Sequence, residues 1–112
     1  MEFFRISNVK DFTDCSIRSF RVFGKIIAIV RDLDGGFFAI EGGCKHHGAD
    51  LSQGVMEQLI VTCPRHGWKY DLSTGKCLSN ASLPLRKLPL KIIGDEIHIK
   101  YEFIENQEEL DW

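Results

Sequence analysis

Cys44-Lys45-His46-His47-Gly48-Ala49-Asp50-Leu51-Ser52 and, further along, Cys63-Pro64-Arg65-His66-Gly67-Trp68-Lys69-Tyr70-Asp71 are the stretches that decide how this chain is read. The first holds Cys-x-His and the second Cys-x-x-His, with sixteen residues between His46 and Cys63. Each half then reaches a glycine, Gly48 or Gly67. Two thiolates and two imidazoles together form a metal-ligand set. Cys44-x-x-His47 with Cys63-x-x-His66 has spacing that suits tetrahedral zinc. Cys44-x-His46 with Cys63-x-x-His66 is a second set, and spacing alone leaves both open.

Working outward, the 112 residues are enough for one domain with a real core. Hydrophobic residues make up 44% and charged residues 27%, as in ordinary globular proteins. The net charge of −2 gives no reason to expect nucleic acid as a partner. The opening MEFFRISNVK lacks a basic stretch followed by an apolar one, so no secretory signal is expected. The longest apolar run, Ile26-Ile27-Ala28-Ile29-Val30, is too short to span a bilayer, so no membrane association is expected and the expected location is cytoplasmic. Cysteine is too sparse for a disulfide scaffold, which leaves Cys15 and Cys77 as expected free thiols.

The apolar pattern is that of an all-β chain. Strands are expected at Phe3–Ile6, Ser16–Phe23, Lys25–Val30, Gly36–Ile40, Leu59–Thr62, Leu88–Ile93 and Glu96–Tyr101. The β-branched run Lys25–Val30 reads as a strand buried on both faces. Asp32-Leu33-Asp34-Gly35 is a turn, and Gly94-Asp95 predicts a type II′ hairpin. Ile97 and Ile99 then face the core, while His98 and Lys100 face solvent. A single helical turn is expected at Ser7–Phe12, with Ser7 as N-cap. Residues 43–80 interrupt the strand series as an inserted metal-binding subdomain. The rest forms an antiparallel sandwich or barrel in which the sheets hide their edges, with an acidic tail at 102–112.

The two quoted loops resemble those of the Rieske [2Fe–2S] family. The resemblance continues through Asp71-Leu72-Ser73-Thr74-Gly75-Lys76, the proline-containing Leu83-Pro84-Leu85-Arg86-Lys87-Leu88-Pro89-Leu90 and the hairpin Gly94-Asp95-Glu96-Ile97. It implies one [2Fe–2S] cluster, with Cys44 and Cys63 on one iron and His46 and His66 on the other. His47 is then a neighbour of the site. Imidazoles in place of two thiolates leave the oxidised assembly neutral, which makes an electron easier to add. Glycine lets backbone amides approach the sulfurs, and such N–H···S bonds stabilise the reduced state.

Respiratory and photosynthetic members carry one further cysteine in each loop, joined as a disulfide; Ala49 and Arg65 stand at those positions. Their serine donor to a bridging sulfur is matched by Trp68. The resemblance therefore implies a low-potential ferredoxin, near the bottom of the roughly −150 to +300 mV range. Such a carrier is not itself an enzyme. It takes electrons from a reductase and passes them to a terminal oxygenase. The alternatives are a small subunit fixed beside the large subunit of a nitrite-reductase-like complex, and a zinc-bound interaction module. A catalytic mononuclear iron would need two His and a carboxylate. His47 and His98 are the only histidines left over, and they lie too far apart in the fold. Lys45, Arg65 and Lys69 form a cationic rim, either solvated or used in docking. Trp68 is read as a cover over the loops.

Overall fold

The computed structural model describes residues 2–45, 48–65, 67–79 and 84–104. Its strands are β1 (Phe3–Asn8), β2 (Ser16–Val22), β3 (Lys25–Arg31), β4 (Phe37–Glu41), β5 (Val55–Glu57), β6 (Ile60–Thr62), β7 (Lys69–Asp71), β8 (Lys76–Cys77), β9 (Lys87–Leu88), β10 (Leu90–Ile93) and β11 (Glu96–Lys100). Among the described residues they make three sheets, in the orders β1-β11-β10, β2-β3-β4-β9 and β5-β6-β7-β8. Every pairing is antiparallel. No helix among these residues is long and apolar enough to cross a membrane.

β3 is the hub of the fold. Ile27, Ala28, Ile29 and Val30 are all fully buried, as the unbroken apolar run requires. Alternation sends them to two cores. Ala28 and Val30 join Ile40, Leu51, Val61, Tyr70, Leu72 and the cysteines. Ile27 and Ile29 join Phe12, Ala39, Leu88, Ile97 and Ile99. The central sheet therefore carries the β1-β11-β10 sheet on one face and the β5–β8 sheet on the other. Each fully buried isoleucine stabilises this arrangement by roughly 1.5–3 kcal/mol.

Turn chemistry fixes the registers. Asp32 Oδ1 accepts the N–H groups of Asp34 and Gly36, which closes the turn from β3 to β4. Gly94 takes φ 61° and Asp95 does not have positive φ, as a type II′ turn demands, with Ile93 paired to Glu96. Ile97 and Ile99 are buried, as the alternation predicts. His98 is not fully solvated, because its side chain is only 17% exposed and lies 3.0 Å from Glu96 Oε1.

Three expectations are corrected. The strand ending at Phe23 stops at Val22, since Phe23 and Gly24 take φ 50° and 80° and close a two-residue type I′ hairpin. Ser7 belongs to β1, and the short 3-10 turn Val9–Asp11 is capped by Asn8, whose side chain accepts the Lys10 N–H at 2.9 Å. The single strand expected over Leu88–Ile93 is two strands. Pro89, which has no N–H to donate, separates β9 on the central sheet from β10 on the outer one. The β5–β8 sheet, built from strands of two or three residues, lies between Cys44 and the end of the expected insertion. His46, His47, His66, residues 80–83 and the tail from 105 to 112 lie outside the described residues.

Candidate metal centre

Two loops of one design present Cys44 and Cys63. In the first, the Cys44 N–H donates to the Ala49 carbonyl at 2.8 Å and the Gly48 N–H to the Cys44 carbonyl at 2.6 Å. In the second, the Cys63 N–H donates to the Trp68 carbonyl at 2.7 Å and the Gly67 N–H to the Cys63 carbonyl at 3.1 Å. Each loop closes only if its fifth residue is left-handed. Gly48 and Gly67, at φ 71° and 78°, meet that condition without a Cβ penalty.

Both thiols are 3% exposed and share one core with Leu51, Tyr70, Leu72 and Leu85, with Trp68 packed at its edge. Leu85 packs into the same core, and its N–H donates to the Gly75 carbonyl at 2.7 Å. Neither cysteine is in a disulfide, and Cys15 and Cys77 are free thiols as expected.

Tyr70 joins the loops. It is fully buried on β7 and its hydroxyl accepts the Lys45 N–H at 2.9 Å. Its own proton can then point to Cys44 Sγ, 3.4 Å away. Burial above all, then the hydrogen bond with Cys44, raises the phenol pKa, so the proton stays on oxygen. An O–H donor aimed at a ligand sulfur favours its more negative state.

A charged network stands behind the first loop. Glu41, 8% exposed at its side chain, accepts from the Arg86 N–H at 2.7 Å, from Arg86 Nε and Nη2 at 3.2 and 3.1 Å, and from Lys45 Nζ at 3.0 Å. Burial pushes its pKa up, but the bonds from Arg86 and Lys45 prevail and hold it below its ordinary 4.5. Glu41 thus ties β4, the segment at Arg86 and the first cysteine loop together.

Of the four expected ligands, the structure brings Cys44 and Cys63 into one core, while His46 and His66 lie outside the described residues. Among the described residues no group of three or more Cys, His, Asp or Glu side chains is assembled for a metal. Arg65 and Lys69 are exposed, whereas Lys45 is partly buried against Glu41. Trp68 is half-buried against the core, as a cover would be. Sequence reading gave no role to Tyr70 or Glu41. A lone acid ending the apolar strand Phe37–Glu41, next to Gly42-Gly43-Cys44, was a signal for the second.

The donor set suits an iron–sulfur group: two buried thiols outside any disulfide, paired loops with glycine at the tight turn, and a hydroxyl directed at one sulfur. The model of the Rieske [2Fe–2S] domain family matches residues 2–89, and the chain belongs to that family. Its cofactor is one [2Fe–2S] cluster, which supersedes zinc. The ferredoxin component of biphenyl 2,3-dioxygenase from Rhodococcus jostii (strain RHA1) is 35% identical over 75 residues, 66% of this chain and 70% of that protein. The oxygenase component of 3-ketosteroid-9-alpha-monooxygenase from Mycolicibacterium smegmatis is also 35% identical, over 69 residues and 62% of this chain. The match covers only 18% of that protein, so the chain spans less than a fifth of that oxygenase component. A chain in the solved complex of reduced oxygenase and oxidised ferredoxin in carbazole 1,9a-dioxygenase has a TM-score of 0.80 at 27% identity, covering 91% of this chain and 95% of that one.

Proposed function

We propose that this protein is an electron carrier that takes one electron from a reductase and passes it to a terminal oxygenase. The observation that carries this reading is the pair of matched loops holding two buried cysteines. Its support is the likeness to ferredoxin components over most of their length. Cys44 and Cys63 supply the sulfur ligands, and His46 and His66 the nitrogen ligands. The bound cluster supplies reversible one-electron chemistry. The chain's own residues set its terms. The Tyr70 hydroxyl, 3.4 Å from Cys44 Sγ, is placed to donate to a thiolate there, and Leu51, Leu72 and Leu85 exclude water from the sulfurs. Glu41 holds the first loop against the segment at Arg86. The relatives matched over most of their length are ferredoxin components of oxygenase systems, and this chain takes the same role of carrier rather than enzyme.

Residues 1–112 act as a single unit, with 43–80 as the cluster-binding part of the β-framework, and should unfold in one cooperative transition. Sparse cysteines outside any disulfide suit a reducing compartment, so the working location is the cytoplasm. Voltammetry of the purified protein tests the reading. A reversible one-electron wave is expected, and a protein that cannot be reduced and reoxidised would refute it.

A further inference from the structure

We infer that the cleft between the β2–β3 turn and the first cysteine loop is a docking pocket for carboxylates on an acidic loop of the redox partner. This rests on the carrier reading above. The cleft has a volume of ≈ 410 Å³. Arg21, Gly24 and Lys25 form one wall, and Gly43, Cys44, Lys45 and Gly48 the other, with Glu41 at its base.

Its sign is positive. Glu41 is the one acid among the lining residues, and its charge is taken up inside the fold by Arg86 and Lys45. Lys25 Nζ reaches Glu41 Oε2 only at 3.9 Å and keeps half its side chain in solvent. Arg21 is exposed and makes no ion pair among the described residues. Two cations therefore face the cleft with charge to spare, on a chain whose net charge is −2. A local field opposite in sign to the whole molecule orients an incoming acidic surface.

Its position is the second argument. One wall is the loop that carries Cys44, so whatever docks there stands against the ligand loop. The walls are also held in place. The Gly42 N–H donates to the Ile26 carbonyl at 2.9 Å, and a Cβ at Gly42 would lie 2.9 Å from Ile26 Cγ2. The cleft thus exists before docking, which lowers the ordering cost of binding.

The test uses the cluster-loaded protein, hexaglutamate peptide and inorganic phosphate as binding probes, and two cobalt(III) complexes as electron acceptors. Calorimetry should show hexaglutamate binding that weakens at least about tenfold in Arg21→Glu/Lys25→Glu, with Arg21→Gln/Lys25→Gln in between. In stopped flow, the dithionite-reduced protein gives one electron to each cobalt(III), which becomes cobalt(II). Tris(oxalato)cobaltate(III), an anion, should react about tenfold more slowly with the charge-reversed variant, and hexaamminecobalt(III) should not. The gap should close at high salt. An unchanged visible spectrum and midpoint show that the variant keeps its centre. Equal anion rates in wild type and variant would overturn the proposal. So would phosphate binding as tightly as hexaglutamate, which would make the cleft a small-anion site. If neutralising Glu105, Glu108, Glu109 and Asp111 to Gln tightens hexaglutamate binding tenfold, the chain's own tail is the occupant and the partner assignment falls. A protein with no reducible centre defeats the carrier reading alone, because the calorimetric arm does not depend on electron transfer.

Discussion

Replacing Tyr70 with Phe removes one oxygen from a fully buried side chain and leaves its packing nearly intact. Two hydrogen bonds go with that oxygen. One is the donation from the Lys45 N–H at 2.9 Å, and the other is the contact with Cys44 Sγ at 3.4 Å. The second governs the potential, because the ligand sulfur becomes more negative when the centre is reduced and then attracts the phenol proton more strongly. A hydrogen bond to a charged group is worth about 1.5–3 kcal/mol, and at 3.4 Å to sulfur the difference between oxidation states should be about 1 kcal/mol. At 59 mV and about 1.4 kcal/mol per tenfold for one electron, that is a fall of about 40 mV in midpoint. Voltammetry of wild type and Tyr70→Phe side by side measures it, with visible circular dichroism to show that the loops are unchanged. A midpoint that rises, or moves by less than about 10 mV, would refute a donor role for this hydroxyl.

His46→Ala and His66→Ala should each abolish or severely destabilise the cluster, while His47→Ala should retain it; iron and sulfide assays with the visible spectrum decide, and an essential His47 would overturn the ligand assignment. Glu41→Ala should destabilise the fold by about 3 kcal/mol in urea unfolding, because Arg86 and Lys45 lose a buried counter-charge. The folded pKa of Glu41 lies below 4.5, so its contribution is complete above that pH and is lost as the pH falls through the folded value; Glu41→Gln should flatten this acid limb. Gly75→Ala puts a Cβ onto the Leu85 carbonyl at a residue of φ 85°, so it should lower stability by about 1–3 kcal/mol or more, seen as a lower Tm.

What the sequence made legible was whatever a local rule determines. The β-branched run at β3 declared its burial on both faces, and the Gly94-Asp95 pair its turn type. The two Cys/His stretches pointed to a metal centre, and the structure brings Cys44 and Cys63 from them into one core, with His46 and His66 outside the described residues. Elements of two or three residues, such as β5, β7 and β8, are too short for any periodicity to reveal. Phe23 looked like strand because its side chain is apolar, yet the hairpin required positive φ there. The Leu88–Ile93 run read as one strand although Pro89 moves the chain between sheets, a consequence of a missing N–H that shows only once both partners are known. Glu41 and Arg86 are 45 residues apart, so no local pattern could join them. Tyr70 stood near Cys63 and His66 in sequence, but its aim at Cys44 depends on the pairing of β6 with β7.

Pulsed EPR on the dithionite-reduced protein enriched in ¹⁵N-histidine tests mixed ligation by two cysteines and two histidines most directly. One unpaired electron per binuclear centre should couple to two directly bonded ¹⁵N nuclei, as expected where two histidines replace two cysteines on one iron. A signal with no strongly coupled nitrogen, or a colourless protein that binds zinc and gives no signal, would contradict it.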